Sequence, residues 1–353
     1  MSREIHERPG VYSSYDASGA AETAKHASAI GIVAIAEEAS DAGTVRISSY
    51  AEGVTSFGED SGMAALLRVL YANGAGEVYA RAVEEDADAE DYGAAFAALE
   101  QEENVGVVVC DSTLLAVQKA LRDSVERAAE ARHERVAVVG GGTGESVSAL
   151  IERAGAINSE RVILTAPSAL DEDGDGQSGT FCACAVAALL ALDRDPSVPI
   201  NGAELYGLSG LGAQYTDTEI DSLVRGGVTP LVCENGCVSP VRGITTRTKT
   251  NGVPDARWRE VTTVRTADDV IVSVRNALHS RFARSKNTAQ TRAAIRSQVI
   301  LELENKKTAE RIDSYGEVSV CAWEEDPTVC LVEFSFAVAH GLNRIYLTAH
   351  ITV

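Results

Sequence analysis

Several clusters of residues have the types that chemistry requires, and their spacing decides what each could do. Gly140-Gly141-Gly142-Thr143-Gly144 follows an apolar run and precedes a helical pattern, the place of a phosphate-binding loop. Such a loop needs Lys and then Ser/Thr after its last glycine. Here Glu145-Ser146 follow, which puts a carboxylate where phosphate charge would sit. A strand-to-helix turn is the better reading, and a nucleotide-binding α/β enzyme using Gly140–Gly144 is the alternative. Asp171, Asp173, Asp175 and Gly176 match the first half of a calcium loop, but the position for its bidentate Glu is Cys182. An acidic solvated turn accounts for them better, with a weak ion site left open.

The cysteines invite a zinc reading that geometry discourages. Cys182 and Cys184 lie in a helical pattern, about 200° apart around its axis. Cys233 and Cys237 flank Asn235-Gly236, a strong hairpin signal. If Glu234 faces Cys237 across that turn, Cys233 points to the other side of the sheet. Neither pair readily chelates one ion. The six histidines are scattered, and His279 and His350 lie off their apolar stripes. Asp268 and Asp269 are read as opening a helix, where carboxylates complement the dipole. No catalytic residue, cofactor or metal is expected.

The elements that would position these residues follow from periodicity. Ile30–Ala36 and Glu77–Val83 read as strands, and Gly58–Tyr71 as a helix with Leu66, Leu67 and Leu70 inward, closed by Asn73-Gly74. Val105–Cys110, Val136–Val139 and Val162–Ala166 are continuous apolar runs, each followed by a helix-length segment. That alternation predicts a parallel sheet covered on both faces. An alanine-rich helix is expected over Gly179–Leu192, a long ordered loop over Asp193–Tyr215, and a helix over Thr218–Arg225 stopped by Gly226-Gly227. The Asn-Gly hairpin joins Val228–Glu234 to Cys237–Thr246. After a turn at Asn251–Pro254, Thr266 with Asp269 resembles a capping box for a helix with Val270, Val274, Ala277 and Leu278 inward. A second helix follows Asn287, carrying Ile295, Val299 and Leu303, with Arg292 and Arg296 as an adjacent ridge.

Thr328–Val353 alternates apolar and polar residues twice. Val332, Phe334, Phe336 and Val338 share one side of a first strand; Ile345, Leu347, Ala349, Ile351 and Val353 share one side of a second. A strand so placed needs a partner, in its own domain or in another molecule.

Composition bounds the function. The chain has 353 residues, 45% hydrophobic and 24% charged, enough for two or three domains with real cores. Its formal charge of -21 argues against nucleic acid. Residues 241–300 run the other way, with 12 Lys/Arg against 4 Asp/Glu. They meet either an acidic partner or the chain's own acidic domains. Seven cysteines fit reduced thiols, and neither a signal peptide nor a run of membrane length is read, so cytoplasmic synthesis and no membrane partner are expected.

An ordered set of short motifs resembles one family, the contractile tail sheath proteins of phages and phage-tail-like (R-type) bacteriocins. The set comprises Asn201-Gly202-Ala203-Glu204-Leu205, Gly226-Gly227-Val228-Thr229-Pro230-Leu231, Val241-Arg242-Gly243-Ile244-Thr245-Thr246, Trp258-Arg259-Glu260, Lys286-Asn287 with Thr291-Arg292, and Phe334-Ser335-Phe336 with Ile345–Val353. Upstream, Arg8-Pro9-Gly10-Val11-Tyr12 resembles the family's N-terminal arm, and Ser56-Phe57-Gly58 with Ala72-Asn73-Gly74-Ala75 its first shared segment.

The resemblance implies an α/β and α+β fold: an outward α/β domain with a parallel sheet, a tube-facing α+β C-terminal domain, and extended arms that form an intersubunit β-sheet. The corresponding division is 1–25 for the N-terminal linking arm, 26–200 for the α/β domain, 201–327 for the C-terminal domain and 328–353 for the terminal strands. It also implies a non-enzymatic subunit of stacked hexameric rings around an inner tail tube, with baseplate and tail terminator proteins as further partners. Such a subunit is assembled in the bacterial cytoplasm and ends in a virion tail or phage-tail-like particle. The arm contacts would be made by Pro9, Gly10, Val11 and Tyr12 with Ile345, Leu347, Ala349, Ile351 and Val353. Arg275, Arg281, Arg284, Lys286, Arg292 and Arg296 would face the tube.

Overall fold

The structure, a computed structural model, describes residues 28–36, 43–170 and 176–350. Pro9, Gly10, Val11 and Tyr12 of the expected N-terminal arm lie outside the described residues, as do Ile351, Val353 and the acidic loop at 171–175.

Apolar runs become strands of one sheet. In chain order these are β1 (Ala29–Ile35), β2 (Val45–Ile47), β3 (Val78–Val83), β4 (Val105–Cys110), β5 (Val136–Gly140) and β6 (Val162–Ala166). A short pair, β7 (Ala169–Leu170) with β8 (Gly210–Leu211), precedes β9 (Thr229–Glu234) and β10 (Cys237–Pro240). The eight-stranded order is β10-β9-β6-β5-β4-β1-β3-β2. Its six central strands are parallel, and only the edges β2 and β10 run antiparallel. The sheet therefore continues past residue 200, the expected end of the α/β domain, because β9 pairs with β6 through Thr165↔Thr229 and Ala166↔Pro230.

Helices cover both faces, as continuous apolar strands require. One face carries α1 (Tyr50–Phe57), α2 (Gly62–Ala72) and α6 (Gly179–Leu192); the other carries α3 (Ala89–Leu99), α4 (Leu115–Glu130), α5 (Val147–Ile157) and α7 (Asp217–Arg225). The expected helix at 58–71 is α2, which starts at Gly62, and the separate helix α1 precedes it. Ser49 caps α1 and Ser61 caps α2, and the chain turns between them at Gly58 with φ +83°. Helix α6 is apolar all round and buried on nearly every residue, because it lies on the sheet and under α2. Asn73 closes α2 and fixes the long loop: its Nδ2 donates to the Tyr206 carbonyl at 2.7 Å, and its Oδ1 accepts from the Tyr206 N–H at 2.8 Å.

The C-terminal part begins with a small hairpin, β11 (Lys249–Thr250) and β12 (Val253–Pro254), whose turn residues Asn251 and Gly252 take φ +51° and +79°. Helices α8 (Val261–Phe282) and α9 (Ala289–Thr308) follow, then β13 (Ile312–Tyr315), β14 (Ser319–Ala322), β15 (Cys330–Glu333) and β16 (Phe336–Val338). Helix α8 starts at Val261, five residues before the expected cap Thr266. Val261 and Val264, on another side of the helix from Val270, anchor these earlier turns in the main core, so Thr266 is interior and fully buried. For the same reason Asp268 and Asp269 sit within the helix and do not open it.

A candidate polymer interface in the C-terminal part

Helix α8 joins two cores. Its first turns join the main core, whereas Val270 and Val274 join Val299, Leu303, Ile312 and Val318 in a separate small core. Val332, Phe334 and Phe336 pack against that core, and the Phe334 and Phe336 rings lie 6.2 Å apart. The predicted single strand through these residues is broken at Phe334-Ser335, because its halves take different partners. β15 pairs with β14 in the register Val320↔Val332, and β16 pairs with β13 in the register Tyr315↔Phe336. Each sheet has two strands and so leaves strand edges unpaired within the described chain. Such edges accept further strands, and two-stranded sheets gain stability from them.

The segment after β16 runs along the body and then leaves it. The Ala339 N–H donates to the Arg311 carbonyl at 3.1 Å. Gly341 passes so close to Pro199 that a Cβ there would stand 2.9 Å from the proline ring. The Asn201 Nδ2 donates to Asn343 Oδ1 at 2.8 Å, and Arg344 reaches Asp221 at 3.8 Å. Beyond that point Ile345, Tyr346 and Leu347 are 78%, 85% and 89% exposed, and residues 339–350 form no strand with the described chain. Three consecutive large apolar side chains in water mark a surface awaiting a cover.

Of the cations expected at the tube, Arg275 forms an ion pair with Glu134 beside β5, at 3.0 Å between Nη1 and Oε2. Arg281 bonds Gln298. Arg292 donates to Asn287 Oδ1, and Arg296 to the Val318 carbonyl, each at 2.8 Å. Arg284 and Lys286, in the α8–α9 connection, are exposed and have no side-chain partner among the described residues. Asn287 clamps that connection to the β14–β15 turn through the carbonyls of Pro327 and Val329.

Two more pairs fasten α8 to its surroundings. Arg161 grips Asp268 with both Nη atoms, at 2.8 and 2.9 Å. Asp269 accepts from Lys306 at 2.5 Å and from Arg311 at 2.9 Å. Burial pushes the Asp268 carboxyl up despite Arg161. Burial also opposes ionisation of Glu134, but the Arg275 guanidinium, the Glu134 backbone N–H and Arg161 together outweigh it and hold that carboxyl below the usual range.

The glycine loop is filled by its own chain. Glu145 accepts from the Gly142 N–H at 2.7 Å and pairs with Arg153 at 3.1 Å, so a carboxylate already occupies a donor that a phosphate would use. Gly179, at the start of α6, presses on Gly140 and Gly141, and the remaining cleft holds about 20 Å³. Cys182 and Cys184 are buried. Cys237 faces Glu234 and Cys233 faces Val238, the register expected of the hairpin, which sends the two thiols to opposite faces.

Residues 85–246 match the phage tail sheath protein central domain, and residues 253–352 the phage tail sheath C-terminal domain. Over 256 residues the chain is 30% identical to the tail sheath protein of Bacillus phage SP01, covering 71% of this chain and 43% of that protein. It thus spans under half the length of that relative. The helical sheath of the anti-feeding prophage in its contracted state has a similar fold, with a TM-score of 0.74 and 16% identity over 98% of this chain and 99% of that one. The sheath tail protein of Listeria innocua is also similar, with a TM-score of 0.72 and 12% identity over 89% of this chain and 92% of that one.

Proposed function

Because the chain belongs to the phage tail sheath protein family, we propose that it is a structural subunit of a contractile tail sheath. In this reading subunits polymerise as stacked hexameric rings around an inner tube, on a baseplate and under a terminator. Contraction then drives the tube through a target envelope. The observation that carries it is the exposed run Ile345-Tyr346-Leu347, together with two-stranded sheets that leave strand edges unpaired within the described chain. An apolar strand former that finds no partner in its own described chain is satisfied by strand addition on a neighbour. Exchange of arms between identical subunits makes a heterologous contact, which propagates into rings or helices.

The expected N-terminal arm, Pro9–Tyr12, is the proposed partner of Ile345, Leu347, Ala349, Ile351 and Val353. Arg284 and Lys286 are the cations best placed to meet the tube, since Arg275, Arg281, Arg292 and Arg296 hold groups of their own chain. The released assembly is a virion tail or a phage-tail-like particle, and cytoplasmic assembly is part of the same proposal. No helix among the described residues is long and apolar enough to cross a membrane.

Deleting Ile345–Val353 tests the proposal. The full chain should form tubes or ring stacks by negative-stain microscopy, whereas the truncated chain should remain in solution with an unchanged thermal melt. Tubes formed equally well by the truncated chain would end the strand-exchange reading.

A further inference from the structure

Four arginines meet at the end of the eight-stranded sheet where β9 begins and β10 has ended. Arg225 closes α7, Arg242 follows β10, Arg259 precedes α8, and Arg344 comes from the terminal segment. The carboxylates bonded to them are two. Asp221 is shared by Arg225 at 3.3 Å and Arg344 at 3.8 Å, and Glu260 is held by Arg242. Arg259 donates to the Val224 carbonyl at 3.2 Å and to no carboxylate. The Nε atoms of Arg242 and Arg259 are buried without a hydrogen-bond partner among the described residues. Burial and the guanidinium groups of Arg242, Arg225 and Arg344 push the Arg259 pKa down, against Glu260. Four guanidinium groups beside two carboxylates leave an excess of positive charge, which favours an added anion at the exposed Arg225 and Arg344. The side is open, because Arg225 and Arg344 have 73% and 62% of their side chains exposed.

The chain carries a matching anion at the opposite end of the same sheet. The β3–α3 connection leaves the C-terminal end of β3, whereas the arginines lie at the N-terminal end of the parallel strand β9. It holds Glu84, Glu85 and Asp86 in succession, with Asp88, Glu90 and Asp91 following. Glu84, Glu85 and Asp86 are exposed and have no side-chain partner among the described residues. Opposite ends of one sheet cannot touch within a subunit.

We propose that the arginine cluster of one subunit receives the Glu84-Glu85-Asp86 connection of a second copy of this chain. The contact is head-to-tail, and repeated in one direction it stacks subunits instead of closing a dimer. It rests on the polymer reading above and adds a second joint to it, one made of charge where the arm joint is made of backbone. Arg344 couples the two, since it stands immediately before the exposed apolar run.

The test uses three variants of the full chain. Arg225→Glu with Arg344→Gln lowers the cluster's charge while leaving a hydrogen-bond donor for Asp221; Glu84→Lys, Glu85→Lys and Asp86→Lys reverse the acidic end; the third carries both sets. All the altered side chains are exposed, so thermal melts should match the parent. Each set alone should raise the critical concentration for polymer formation about tenfold or more at low salt, and the combined chain should recover most of that loss. The parent polymer should also weaken at about 1 M salt, where the Debye length is about 3 Å. A parent chain that stays monomeric would refute the sheath reading itself. A parent polymer unaffected by either set, or a combined chain no better than the single sets, would overturn this contact and leave the sheath reading standing.

Discussion

Glu134 and Arg275 illustrate what one charge pair contributes at the junction between the sheet and α8. The Glu134 carboxyl is held below its ordinary 4.5, so its contribution is complete above pH 4.5 and is lost as pH falls through the depressed folded value. Asp268 acts with the opposite sign: burial raises its carboxyl, so lowering the pH relieves a cost. Comparing the parent with Glu134→Gln isolates the first effect. The variant should be less stable by about 1–2 kcal/mol at neutral pH and should converge on the parent below pH 4.5 in urea melts. Parallel acid limbs would mean that Glu134 is not the titrating group. Neither pair was visible in the sequence. Asp268 and Asp269 looked like dipole residues because Thr266 resembled a cap, and their partners Arg161 and Lys306 lie on other elements.

Local signals marked most elements well and misplaced those whose ends depend on distant packing. The Gly179–Leu192 helix and the Asn235-Gly236 turn were legible because composition and turn chemistry act within a few residues. Helix α1 was missed because only Gly53 and Phe57 of its eight residues are buried, leaving little periodicity to detect. The start of α8 was hidden because its first turns carry a different stripe: at about 100° per residue Val261 lies about 180° from Val270, so Val261 and Val264 join the main core and Val270 and Val274 the small one. The glycine loop belongs to this scale too. A Cβ on Gly140 would stand 2.1 Å from the Gly179 carbonyl carbon, whereas one on Gly144 would meet nothing within 4 Å. Gly140→Ala should therefore cost about 1–3 kcal/mol or more by overpacking, and Gly144→Ala, at φ +69°, only about 1–2 kcal/mol. Equal costs in a urea titration would show that the loop is not fixed by its contact with α6.

Across the whole molecule, the basic stretch 241–300 divides into two uses. Arg242, Arg247, Arg257 and Arg275 pair with Glu260, Glu160, Asp255 and Glu134 of the same chain. Arg284 and Lys286 remain exposed at the α8–α9 connection. Reversing both to Glu should weaken assembly on the tube about tenfold while leaving assembly of the empty sheath within about threefold, as expected for charges at the rim of one interface. Co-sedimentation with and without tube would decide, and equal losses would place the two residues between sheath subunits.

By itself the sequence determined the parallel sheet, the hairpin register and, through ordered motifs, the family, because apolar period and turn chemistry are properties of neighbouring residues. Tertiary structure alone decided which cations are already engaged and which strand edges are unpaired among the described residues. Arg161 meets Asp268 across 107 residues and Arg275 meets Glu134 across 141, and topology brings such groups together where local spacing carries no trace of it.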